Sequence, residues 1–414
     1  MDKCNPIMKT FILSFCLLFI SLLMTACGGH QSRPVSEVKM FTLTGSPYVN
    51  PDTMAREEII YLPTGTKLDS SELYNLLAQK RVVFIGEGHD NIYDHQVELA
   101  VIKNLFQRSP GQLAVGFEML SHLNQEKVDL WLADKLSDDD FIRLFAKNWG
   151  VANFVYYRDI FNYLKSHKIP IRALNVSRQE KMTFMRELMA ADKEKDAKKG
   201  NSSTDIADPY QEEALQAMFK GHAQGHGNIG VFIEVHKLWE DTMARNIKSY
   251  LDSPAGSDKK LIVIAGGFHI AHGYGLPRRV FQLAKVDYCT LLTHTPEELV
   301  ENEQQTMDVD FPELPLYLCD YLWCVPYRNL KDRQARLGIG MQPADHGIEI
   351  VMVEEGSAAA KYGLQIGDLV ISCNGKKLKE PIDLSILLLQ EVKGDTIKLQ
   401  IERDGGIKDI EVLL

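Results

Sequence analysis

Five short apolar runs, separated by segments of helical periodicity, constrain this chain more than any other feature. They are "RVVFIG" (81–86), "QLAVGFE" (112–118), "IPIRALN" (169–175), "LIVIAGG" (261–267) and "VDYCTLL" (286–292). Continuous apolar runs of this length read as strands buried on both faces, and strands alternating with helices build a largely parallel sheet covered on both sides. The predicted fold class is therefore α/β, a largely parallel sheet flanked by helices. Ligands of such sheets gather outside the carboxyl ends of the strands, so the residues that close these runs are the first to read for chemistry.

Two runs end alike. "GEGH" (86–89) and "GGFH" (266–269) set Glu87, His89 and His269 at strand ends, and Glu118 closes a third run. A single strand-end histidine is more often structural, but four polar groups at three strand ends mark a site. The second turn continues as "IAHGYGLPRR", which displays His272 and Tyr274 beside glycines and then Arg278 and Arg279. Two helical stripes carry polar heads: His95 and Glu98 ahead of Leu99, Ile102 and Phe106, and His236 and Glu240 ahead of Met243, Ile247 and Leu251. At that spacing the heads face inward, either joining the site or capping the core. His222 and His226 in "GHAQGHG" have the spacing of a helical metal pair, but the interleaved glycines favour a solvated loop. The chain has no P-loop, dinucleotide fingerprint or GxSxG elbow.

The 414 residues, 45% hydrophobic and 25% charged, suit two or three domains. A formal charge of -10 without a basic stripe argues against a nucleic-acid partner. At the N-terminus Lys3 and Lys9 precede an apolar run from Phe11 to Met24, then "LMTAC" ends at Cys27. This is a secretory signal, too short and wrongly flanked for a membrane span. It resembles a bacterial lipoprotein signal, which implies removal of residues 1–26, lipid attachment at Cys27 and an envelope location. Gly28, standing where an aspartate would retain the protein at the inner membrane, favours the outer membrane.

Residues 27–54, with Pro34, Pro47 and Pro51, read as a tether to a domain over 55–295, and the stretch from Asp192 to Asp208 as an exposed excursion. Residues 296–335 read as a linker whose aromatic end, "PLYLCDYLWCVPY", packs against something. Cys319 and Cys324 within it are either a disulfide pair or two buried thiols.

From Arg336 to Leu414 the chain changes to short strands, a small-residue helix and an end hairpin turning at Asp404 and Gly405. The loop Leu337, Gly338, Ile339 and Gly340, with "GLQIGDLVISCNGKKL" after "GSAAAKY", resembles a bacterial-type PDZ domain. The resemblance implies a small β-rich fold whose loop 337–340 takes a peptide's C-terminal carboxylate, in a groove completed by a helix from Asp383 to Gln390.

Upstream, "FIGEGHDNIYDHQVELAVIKNL", "LAVGFEML", "IPIRALNVSR", "HKLWEDTMARNI" and "VIAGGFHIAHGYGLPRRV", in this order, resemble the ChaN-like haem-binding lipoproteins, which belong with the TIKI proteases and erythromycin esterases in a GxxH superfamily. The resemblance implies haem as cofactor and a homodimer that sandwiches it, serving iron acquisition. His272 or Tyr274 would then ligate the iron, with Arg278 and Arg279 on the propionates. The esterase and protease branches imply the alternative, a hydrolase with or without a divalent metal. There His89 would be the base, oriented by Glu87 or Glu118, with His269 completing the site.

Overall fold

The structure is a computed structural model that describes residues 44–193, 208–223, 228–302, 309, 311–331 and 333–414, with the side chains of 191–193 and 221–223 not included. The signal segment, Cys27, the tether up to residue 43, most of the 192–208 excursion, the His222 side chain and His226 lie outside what is described. No described helix is long and apolar enough to cross a membrane.

An eight-stranded sheet forms the first layer system. Its strands are β1 (Ile59–Tyr61), β2 (Thr66–Leu68), β3 (Val82–Glu87), β4 (Leu113–Ser121), β5 (Ile171–Asn175), β6 (Lys260–Gly266), β7 (Tyr288–His294) and β8 (Tyr321–Cys324), in the order β2-β1-β8-β7-β3-β6-β4-β5. From β8 to β5 all neighbours run parallel, and β1 pairs antiparallel with both β8 and β2. The five predicted strands are the five parallel strands from β7 to β5. Each is mostly apolar because both faces are covered, with Arg172 of β5 and Thr293 and His294 of β7 only partly buried. On β3, Val83 and Ile85 enter one core with Phe117, Phe141, Phe145 and Phe161, while Val82 and Phe84 enter the other with Met243 and Ile247. This is the period of two of a strand serving two helix layers.

The span expected as a linker supplies β8, so part of it is sheet. Its carboxylate Asp320 accepts hydrogen bonds from the Thr290 N–H (2.8 Å) and the Thr290 hydroxyl (3.1 Å), tying it to β7. Cys319 and Cys324 are free and buried rather than bonded to each other: Cys319 donates to the Tyr321 carbonyl and Cys324 to that of Met54.

A second sheet follows: β9 (Ile339–Ala344), β10 (Gly347–Val353), β11 (Leu369–Cys373), β12 (Lys376–Lys377), β13 (Thr396–Arg403) and β14 (Gly406–Leu413), all antiparallel, in the order β14-β13-β11-β10-β9 with β12 beside β11. Asp404 and Gly405 both take positive φ, 53° and 75°, as a two-residue turn between twisted strands requires. The groove helix runs Pro381–Leu388, two residues earlier than expected, because Pro381 sits at its first turn and Glu380 with Asp383 forms a capping box.

Candidate functional site

Parallel register brings the two GxxH turns together. Glu87 at the end of β3 lies opposite Gly266 at the end of β6, and β4, which carries Glu118, is the next strand along. Glu87, His89, Glu118 and His269 therefore share one rim. Gly266 is what allows this packing: a Cβ there would lie 2.8 Å from the His89 ring atoms Cε1 and Nε2. Glu118 Oε2 in turn accepts the Gly266 N–H at 2.7 Å.

Two carboxylate–imidazole clusters result. In the first, Glu87 Oε1 binds His89 Nδ1 at 2.7 Å and also accepts from the Tyr157 hydroxyl. The helix Ile92–Arg108 adds His95, whose Nδ1 lies 2.9 Å from Glu98 Oε2 and 3.4 Å from Glu87 Oε2. Burial opposes ionisation of Glu87, yet His95, Glu98 and His89 together hold its carboxyl at about 2. Glu98 goes the other way: burial and the adjacent Glu87 charge push it well up, so it keeps its proton.

In the second cluster His269 lies between Glu118 Oε1 (3.5 Å) and Glu240 Oε1 (3.1 Å). Burial disfavours its charge, but the two carboxylates outweigh burial and raise it to about 10. Glu240 Oε2 is bound by Arg279 Nε at 3.0 Å and Gln211 Nε2 at 2.7 Å, and Asp241 binds Arg279 Nη1 at 2.8 Å. His236 beside it is buried and neutral, its ring held by burial and the His269 charge at about 4.

Both predicted stripes thus turn their polar heads to the rim, while the predicted haem ligands do not. Tyr274 is only 5% exposed, packed with Ala214, Leu314 and Phe268, and burial raises its phenol far above the usual range. Arg279 is 3% exposed and committed to Glu240 and Asp241, so it cannot meet a propionate at the surface. Arg278 pairs with Asp208, and His272 is half-buried with a left-handed backbone, φ 57°. The helix Leu276–Ala284 accounts for the position of Arg279. Starting directly after the turn, it aims Arg279 at Glu240 and Asp241 of the neighbouring helix Ile229–Asp252, while Tyr274 packs against Ala214, Phe268 and Leu314.

His89 is the member of the rim that reaches solvent, its side chain 41% exposed. Its ring meets the edge of Trp149 at 4.8 Å, and Trp239 stands 5.8 Å from His269. These two indoles line a cleft of about 360 Å³ together with Lys147, Arg178 and Lys181. The Trp149 N–H is buried without a hydrogen-bond partner. Lys181 lies over the Trp239 ring at 4.9 Å, and burial with the Arg178 charge holds its pKa below the usual range, a crowding of cations that an anion would relieve. Tyr157 and Trp149 were not visible as site residues. The available signal for Tyr157 was a phenol in the stripe Phe154, Tyr157, Phe161, Leu164 of a buried helix, since a buried hydroxyl needs a partner.

A family model for haem-binding uptake proteins of the Tiki superfamily and ChaN matches residues 73–280, and a PDZ-domain model matches residues 335–414. Among solved structures, ChaN of Campylobacter jejuni, described as binding haem cofacially, is similar with a TM-score of 0.50 at 14% identity, covering 66% of this chain and 97% of that one. The serine endoprotease of Yersinia pestis is similar over 20% of this chain and 29% of that one, at 22% identity and a TM-score of 0.18. A serine protease Do-like HtrA of Lactobacillus helveticus is 32% identical over 69 residues, and the chain spans 17% of that relative's length.

Proposed function

We propose that this chain, which belongs to the haem-binding uptake family of the Tiki superfamily and ChaN, is a lipid-anchored protein of the bacterial outer membrane that binds haem and serves iron acquisition. The cleft lined by Trp149, the indole whose edge the His89 ring meets at 4.8 Å, supports the haem reading. Haem asks for apolar faces, an axial ligand and cations for its propionates. Trp149 and Trp239 offer the faces, and Lys147, Arg178 and Lys181 offer the charge. His89 offers Nε2, for which the described residues supply no hydrogen bond, while Glu87 holds Nδ1 at 2.7 Å. A carboxylate on the far nitrogen fixes the tautomer and strengthens an imidazole ligand. When bound, haem supplies an iron that accepts such a ligand.

The cleft is open and at the small end of ligand sites, which run from roughly 300 Å³, so a second copy covering the other haem face suits it. The envelope location rests on Lys3, Lys9, the apolar run from Phe11 and Cys27 with Gly28 after it. A hemin titration followed at the Soret band tests the haem reading: a saturable, shifted band of fixed stoichiometry is expected, and a featureless, non-saturating change would overturn it. The PDZ domain adds a C-terminal peptide as a partner.

One observation favours hydrolysis as a second reading. Ligand atoms of buried Glu87, His95 and Glu98 lie within 4.8 Å of one another, a nitrogen and oxygen set that suits a divalent metal. Metal analysis of the purified protein, with an ester and peptide screen against His89→Ala, decides between the two.

A further inference from the structure

In the second domain β9 is an outer strand, paired among the described strands with β10 alone, and the groove of about 560 Å³ beside it includes Ser385 and Leu388 of the helix Pro381–Leu388. An unpaired edge beside a helix accepts an extended chain as an added strand. At the head of the groove the carbonyls of Leu337 and Gly338 are taken by the Ala359 and Glu354 N–H groups, both at 2.9 Å. The N–H groups of Leu337 and Gly338 have no acceptor among the described residues. Gly338 holds φ 74°, and a Cβ there would lie 2.3 Å from Ser357 Cβ. The loop is thus a glycine-dependent turn with spare donors, suited to a carboxylate.

The groove is not built by this domain alone. Val151, Ala152, Val155 and Arg158 of the α/β domain line it as a third wall. The two domains are joined around it. Arg143 pairs with Asp383, the Arg158 guanidinium donates to the Leu389 carbonyl, and Ile386 is part of the α/β core against which Ile382 and Leu389 pack. Charge around the groove favours an anion: Arg158, Arg333 and Arg336 stand against Glu354 and Glu391.

We infer that the peptide site is composite, taking an extended peptide of another protein that ends in an apolar residue with a free carboxylate, and that Val155 and Arg158 of the α/β domain help to select it. This rests on the reading that the PDZ domain binds peptides, and extends it: the haem domain forms part of the specificity surface, so peptide choice differs from that of a PDZ domain standing by itself. Val155 supplies apolar wall to the end of the peptide, and Arg158 adds a cation whose attraction is strengthened by partial burial.

The test selects peptides from a phage library displaying free C-termini on the full chain, then measures the enriched sequences by fluorescence anisotropy as carboxylates and as amides. Expected are enrichment of apolar C-termini, weaker binding of the amides, and about tenfold weaker binding to Arg158→Glu and Val155→Ser, the range for an anchoring interface residue. Arg158→Lys, which keeps the cation, should recover most of the affinity and so separates lost charge from misfolding. Failure to enrich any peptide would sink the peptide reading and the composite site together. Equal binding to wild type, Arg158→Glu and Val155→Ser would leave peptide binding standing and overturn the composite wall.

Discussion

Replacing His269 by glutamine should destabilise the α/β domain in a way that depends steeply on pH. The imidazole is buried between Glu118 and Glu240, which raise its pKa from 6.5 to about 10. The folded state therefore keeps a proton that the unfolded chain releases above 6.5. Its contribution to stability is complete below that value and is lost as pH rises towards 10. At about 1.4 kcal/mol per unit, the shift corresponds to roughly 5 kcal/mol. That is close to the roughly 3–5 kcal/mol lost when one partner of a buried ion pair is removed. All four tryptophans, Trp131, Trp149, Trp239 and Trp323, lie in this domain, so urea unfolding followed by tryptophan fluorescence reports on it alone. The difference between wild type and His269→Gln should be several kcal/mol at pH 6 and shrink towards zero by pH 10. A difference that stays constant over this range would refute the charged-imidazole account, and so would a variant that is as stable as wild type at pH 6.

Other substitutions probe the close approaches. Gly266→Ala brings a Cβ within 2.8 Å of the His89 ring; because that ring is half-exposed it can swing outward, so hemin binding should weaken about tenfold while the urea midpoint barely moves. Gly338→Ala meets both a positive φ and Ser357 at 2.3 Å, and should lose about 1–3 kcal/mol of local stability, seen as faster amide exchange along β9 and as lost peptide binding. Cys319 and Cys324 should alkylate only after unfolding and without prior reduction; a two-dalton mass gain on reduction of the purified chain would contradict free thiols.

The sequence was most legible where one physical demand dominated. Strands β3, β4 and β6 are buried on both faces, so they could be written only in apolar residues, and their polar closures marked the rim. Strand β8 escaped because it is four residues long and pairs outward with the three-residue β1, leaving no run long enough to stand out from a loop. The surroundings of the expected haem ligands were hidden for a different reason. A glycine-rich turn with His272 and Tyr274 looks displayed, but its exposure depends on Phe268 and Leu314 packing over Tyr274, and on Glu240 and Asp241 claiming Arg279 from another helix. Those are contacts across long separations, invisible to spacing. The same holds for Trp149, which reaches His89 only because the helix Asp138–Trp149 ends at Gly150 above the strand ends.

The central claim is that haem sits at the rim with His89 as its ligand. Hemin affinity of the full chain, measured side by side for wild type, His89→Ala and Tyr274→Phe, tests it most directly. The account predicts that His89→Ala shifts the Soret band and weakens binding at least tenfold, while Tyr274→Phe, buried away from the cleft, matches wild type. Loss of binding in Tyr274→Phe with His89→Ala unaffected would contradict it.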